Sequence, residues 1–126
     1  MNYTAVVYAP TGQFESEEPV TLTRTSLTFD SESFDCAYQA LSCQNVQVNT
    51  MMLDGQMIDV MSDEEHGLKS GPLLGFTIHD DENQQWLIPG PIAISGYLHK
   101  DCPFSKEHLA DLFAHQRIGP VWLERQ

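Results

Sequence analysis

Basic residues are scarce in this chain. It carries 6 lysines and arginines against 18 aspartates and glutamates, a formal net charge of −12 at neutral pH. A field of that sign repels nucleic-acid phosphates, so direct binding of DNA or RNA is not expected. Cysteine is scarce too. Cys36, Cys43 and Cys102 are an odd count, and the first two stand seven positions apart. That spacing suits neither a zinc site nor a disulfide framework, and the three read as free thiols of a reducing compartment. No apolar run approaches the roughly 20 residues of a membrane span, so no membrane partner is expected. Met1–Pro10 lacks a basic leader segment and reads as a first strand rather than a signal peptide, which makes the cytoplasm the expected location. Also missing are a glycine-rich phosphate loop, a nucleophile elbow, a zinc-protease helix and a paired-cysteine motif. The chain therefore reads as a binding protein rather than an enzyme, and no cofactor is expected.

What is present is a globular composition, with 41% apolar and 10% aromatic residues in 126. That length is one domain, residues 1–126, able to bury a core without staples. The acidity is lopsided. Residues 1–65 hold Glu15, Glu17, Glu18, Asp30, Glu32, Asp35, Asp54, Asp59, Asp63, Glu64 and Glu65 against one base, Arg24. Residues 66–126 are nearly balanced, with 7 acids and 5 bases. Such a half-molecule attracts a basic protein surface, although acidity also serves plain solubility.

The pattern of elements predicts an α+β fold: a mainly antiparallel sheet of about five to seven strands with two helices. Tyr3–Ala9 is rich in β-formers. Val20–Leu27 alternates with period two, as a half-buried strand does. Asp30 or Ser31 caps a predicted helix running to about Ser42, with Phe34, Ala37, Tyr38 and Leu41 in one stripe. Its back face of Cys36, Ala40 and Cys43 is small and apolar, which suits cover by a second copy of this chain in a homodimer. Asn45–Leu53 and Gln56–Met61 flank Asp54-Gly55, a strong hairpin signal. Ser62–Gly71 reads as loop, Pro72–His79 as strand and Asp80–Asn83 as turn. Pro89-Gly90-Pro91 divides Trp86–Ile88 from Ile92–Ile94. Ser105 caps a last helix whose inner stripe is Leu109, Leu112, Phe113 and Gln116. Gly119-Pro120 ends it, and Val121–Leu123 follows as an apolar tail.

Four groups could carry chemistry. His108, Asp111 and His115 stand three and four apart and can share a helix face, where imidazoles and a carboxylate hold a divalent metal. A solvated helix face has the same spacing. His79, Asp80, Asp81 and Glu82 follow a strand and could serve acid–base work, but a polar hairpin tip accounts for them better. Cys36 near a helix start could be a nucleophile, but Glu32 and Asp35 beside it oppose a thiolate, so packing is favoured. Met51, Met52, Met57 and Met61 on the hairpin could form an adaptable contact surface or simply fill a core.

Residues 28–116 carry a further pattern. A short helix and a hairpin precede Asp63-Glu64-Glu65-His66-Gly67-Leu68-Lys69. A strand leads to Ile88-Pro89-Gly90-Pro91-Ile92-Ala93-Ile94-Ser95-Gly96, and a serine-initiated helix closes the pattern. This resembles the domain of unknown function 3846 family of phages, plasmids and other mobile elements, over about two thirds of the chain. Where that family has an asparagine after the loop, this chain has Gly71-Pro72-Leu73. The resemblance implies a mobile-element origin and brings no catalytic residues with it. The leading expectation is thus an acidic inhibitor-type protein that binds and modulates a host or defence protein, with the charge of a nucleic-acid mimic. Its contact residues would be Glu15, Glu17, Glu18, Asp30, Glu32, Asp35, Asp63, Glu64 and Glu65. The alternatives are a nucleotide-type binding domain with a pocket beside Trp86 or Trp122, lined by His79, His99 or Lys100, and a metal-dependent enzyme using His108, Asp111 and His115.

Overall fold

The structure, a computed structural model, describes residues 2–12, 20–30, 39, 41, 45–66, 73–96 and 106–123, with side chains for all but 2–4, 27–30 and 106–108. Among the described residues the strands are β1 (Asn2–Thr11), β2 (Thr21–Asp30), β3 (Val46–Leu53), β4 (Gln56–Asp63), β5 (Leu73–His79), β6 (Gln85–Pro89), β7 (Ile92–Gly96) and β8 (Ile118–Leu123). One helix, α1 (Lys106–Ala114), precedes β8. The strands form a five-stranded sheet in the order β2-β1-β7-β4-β3 and a three-stranded sheet in the order β6-β5-β8. Every pairing is antiparallel.

The fold is therefore mainly antiparallel β, with two sheets where the sequence pattern predicts one and a single described helix. Gln39 and Leu41 are helical. The rest of the helix predicted over 30–42 lies outside the described residues, except that Asp30 closes β2 instead of capping a helix.

Local chemistry sets the turns. Asp54 and Gly55 have φ values of 51° and 77°, the left-handed pair that a two-residue hairpin needs. They join β3 to β4 in the register Leu53↔Gln56 through Val46↔Asp63. Gly90, at φ 82°, turns the chain out of one sheet and into the other. A Cβ there would stand 2.8 Å from the His66 ring, so the same glycine also admits that imidazole. Trp86–Ile88 and Ile92–Ile94 thus lie on different sheets rather than flanking a kink in one.

Two-residue periodicity then builds the core. The inner face of the large sheet carries Val6 and Tyr8 of β1, Ile92 and Ile94 of β7, Ile58 and Val60 of β4, and Met51 and Leu53 of β3. These pack against Phe76, Ile78, Ile88 and Ile118 of the small sheet and against Leu109 and Leu112 of α1. Phe113 is half-buried, its ring 4.6 Å from that of Tyr8. The reverse face is covered as well, since Ala5, Val7, Met61, Ala93 and Ser95 are all buried there. Sheet cover on both faces explains why β7 is buried at every one of its positions.

The C-terminal segment corrects two expectations. Gln116 does not belong to the inner stripe of α1; it follows the helix with φ 60° and reverses the chain. Gly119-Pro120 does not end the helix but lies inside β8, and Val121-Trp122-Leu123 is the rest of that strand, paired with Leu73–Gly75 of β5. Pro120 is tolerated because β8 is an edge strand. The methionines of the hairpin divide by burial and not by face: Met51 on the inner face and Met61 on the reverse face are both buried, whereas Met52 and Met57, on the reverse face, are half-buried.

Candidate functional site

The acidic cluster after β5 is a joint. Asp80, 7% exposed, accepts backbone N–H bonds from Glu82 and Gln84 at 2.9 Å each, and the indole N–H of Trp86 at 2.9 Å. Asp81 accepts the N–H groups of Asp54 and Gly55 at 2.8 Å each, so its carboxylate caps the neighbouring hairpin turn. Arg117 closes the assembly. It donates to Asp54 Oδ1 and Asp81 Oδ1 at 2.8 Å and to the His79 carbonyl at 2.9 Å. Three connections, from three separate parts of the sequence, are locked by one guanidinium whose fork matches two carboxylates. A hollow of about 520 Å³ lies over His79, Asp80, Asp81, Asn83 and Arg117.

These carboxylates are unsuited to proton transfer. The Trp86 indole, followed by the Gln84 and Glu82 amides, holds Asp80 below the usual carboxylate range. The Gly55 amide and then Arg117 do the same for Asp81. Both stay ionised at neutral pH, and each already accepts three hydrogen bonds. The sequence pattern read this cluster as a hairpin tip, which its position confirms, but Arg117 had no sequence signal beyond its rarity: a base in so acidic a chain, next to a core strand, has carboxylates waiting for it.

A pH dependence follows. The depressed pKa of each group in the folded state means its contribution to stability is fully present above the unfolded carboxylate value of about 4. That contribution is lost as pH falls through the folded values. Urea midpoints should be level from about pH 7 to pH 5 and drop below pH 4. Asp81→Asn should lower the plateau and flatten part of the acid limb; an unchanged limb would show that the joint contributes nothing to it.

At the other end of the same hairpin lies the acidic rim. Asp63 ends β4, and Glu64 and Glu65 are exposed in the turn after it. Asp63 Oδ1 accepts the Glu65 N–H at 2.9 Å, Glu65 accepts from the Asn45 amide at 2.8 Å, and His66 Nδ1 stands 4.0 Å from Asp63 Oδ2. Beside this rim the two sheets part. A cavity of about 180 Å³ opens between Gln47, Asn49, Ser62, Asp63 and Glu64 on one side and Trp86–Pro89 on the other. Ser62, Gln47, Asn49 and Leu87 carry no motif, and their convergence depends on how β6 crosses the β3–β4 hairpin.

The structure brings together Asp63, Glu64 and Glu65 of the predicted contact residues. Glu15, Glu17, Glu18, Glu32 and Asp35 lie outside the described residues, as do Cys36, His99 and Lys100 and the side chains of Asp30 and His108. Not every acid is a surface charge: Asp59 is 1% exposed on the reverse face of the large sheet, where the Thr50 hydroxyl donates to it. Of the predicted metal set, Asp111 and His115 are exposed, and His115 Nδ1 lies 2.9 Å from the Asp111 backbone carbonyl. Among the described residues no three histidines, cysteines or carboxylates converge on a metal position. No helix among them is long and apolar enough to cross a membrane. Compared with known proteins, the chain matches no family model, no curated protein and no solved structure.

Proposed function

We propose that this chain is a non-enzymatic acidic interaction protein of a phage or mobile element. It binds and modulates a host or defence protein through a basic surface on that partner, presenting a charge like that of a nucleic acid. The observation that carries this reading is the charge itself: 11 acids and one base in residues 1–65. The structure supports it by separating two kinds of carboxylate. Asp80 and Asp81 are engaged in holding turns together, and Asp63 is part-buried and accepts a turn N–H, whereas Glu64 and Glu65 beside it are exposed at the surface. The mobile-element origin rests on the sequence resemblance.

A nucleotide-type ligand beside Trp86 is less well supported, because the cavity there is lined by Asp63 and Glu64 and, among the described residues, by no lysine or arginine. Phosphates would be repelled.

The test is capture of partners from host lysate, followed by association kinetics with the captured protein. The on-rate should fall about tenfold or more between low and physiological salt, because steering between exposed charges is screened beyond the Debye length. Reversal of Asp63, Glu64 and Glu65 to lysine should reduce capture. Capture that ignores both salt and charge reversal would overturn the reading.

A further inference from the structure

The mouth beside the acidic rim is built differently from the rest of the surface. Its cavity, about 180 Å³, holds several waters or one long side chain, since a water takes about 30 Å³ in the liquid. One wall is apolar: Trp86, with its indole fixed by Asp80, and Leu87, which is 55% exposed. The opposite wall offers acceptors: Asp63, Glu64 and the amides of Gln47 and Asn49. At the base lies Ser62, which is 3% exposed. Carboxylates exclude an anion, and the amide wall suits no purely apolar guest. An aliphatic stem ending in a cation meets both walls.

The strand beside the mouth is an open edge. Among the described residues β3 pairs only with β4. The two-residue turn makes Leu53 and Gln56 a hydrogen-bonded pair, so Val46, Val48, Thr50 and Met52 direct their N–H and C=O groups outward. Met52 O is taken by the Asp81 N–H at 2.9 Å, as that alternation requires. Among the described residues, nothing pairs with the outward groups of Val46, Val48 and Thr50. Edge strands are usually blunted by charge or proline. The other described edges have such a device: Arg24 on β2, Pro89 on β6 and Pro120 on β8. The β3 sequence, VQVNTMML, has none.

We infer that β3 takes up an extended, arginine-bearing segment of a basic partner as an added strand, with one arginine side chain seated in the mouth between Asp63, Glu64, Ser62 and Leu87. The inward side chains of such a strand fall next to Gln47 and Asn49, beneath β6. Its backbone bonds to Val48 and Thr50 supply affinity, and the mouth selects the residue. A guanidinium suits the site better than an ammonium because the acceptors are spread around it, and a fork with five donors reaches more of them. This deepens the functional reading above and depends on the partner being basic.

The test uses a blocked, fluorescein-labelled peptide of alternating arginine and threonine, with fluorescence anisotropy for affinity and amide hydrogen exchange for position. Binding should protect the Val48 and Thr50 amides. Val48→Pro removes an outward N–H without breaking the β3–β4 ladder, and Leu87→Ser removes the exposed part of the apolar wall. Each should weaken binding about tenfold or more, as should Asp63→Asn with Glu64→Gln. Glu82→Gln, at an exposed position in the turn at the opposite end of the hairpin, should leave affinity within about threefold. If Val48→Pro fails to fold, Leu87→Ser and the exchange pattern decide. Unchanged affinity in Leu87→Ser, or an equal loss from Glu82→Gln, would overturn the strand-and-mouth proposal. The broader reading would then stand or fall on the salt dependence of partner capture.

Discussion

Replacing Gly75 with alanine should leave little folded protein at physiological temperature. Gly75 sits in β5, the middle strand of the small sheet, opposite Pro89 on one side and Val121 on the other. A Cβ at this position would collide with the Ile88 carbonyl oxygen and stand 2.8 Å from Pro89 Cα. Both are backbone atoms, so no side-chain rotation relieves the clash. Relief requires β6 to move away from β5, and Ile88 would leave the core with it. Overpacking that side chains can absorb costs about 1–3 kcal/mol; a backbone collision in a central strand should exceed that. Against a total stability of about 5–15 kcal/mol, the loss removes most of the margin. Gly119→Ala is the matched control, because a Cβ there meets nothing within 4 Å. Its midpoint should stay within about 0.5 kcal/mol of the parent. Thermal melts by circular dichroism compare the two directly, and a Gly75→Ala protein as stable as the Gly119→Ala one would show that β6 is not held as described.

The same region shows what the sequence could and could not reveal. Asp54-Gly55 was readable because a left-handed turn is demanded by local sterics, and the pattern on either side gives the register. Trp86–Ile88 and Ile92–Ile94 were readable as strands for the same local reason. Their assignment to different sheets was not, because it depends on pairing of β6 with β5 and of β7 between β1 and β4. Gly119-Pro120 has the local chemistry of a helix stop, but the chain had already turned at Gln116. Pairing with β5 then made a strand of a segment with weak strand propensity. The candidate site has the same division. Glu64 and Glu65 were legible as surface acids from composition and loop context. Asp59 and Asp80 count equally in the net charge yet are buried, one beside Thr50 and the other under Trp86. Arg117 and Asp81, 36 positions apart, become partners only once β5 and β8 are side by side.

Phe76→Ala should produce the second large loss, about 3–5 kcal/mol. Phe76 heads the fully buried side chains by volume and is 0% exposed. It lies next to Gly75 on β5 but points the other way, into the space between the two sheets, where Ile58, Val60, Ile88 and Ile94 belong to the same core. Truncation removes most of an aromatic side chain from a site enclosed by strands of both sheets. Ladder hydrogen bonds on either side restrain those strands, so they cannot close fully over the void, and the cavity cost adds to the lost transfer energy. Phe76→Leu keeps most of the volume and should cost roughly 1.5 kcal/mol. The pair separates two accounts of how the sheets are held together. If the interface is a packed core, the loss grows with the volume removed, and urea midpoints should fall in the order Phe, Leu, Ala. If the Arg117 joint and the hairpin turns alone fix the sheets, both substitutions should have small and similar effects. The absence of any gap between Phe76→Leu and Phe76→Ala would therefore refute the core described here. A graded loss would show that β6, and with it the apolar wall of the mouth, is seated by the packing of β5 against the large sheet.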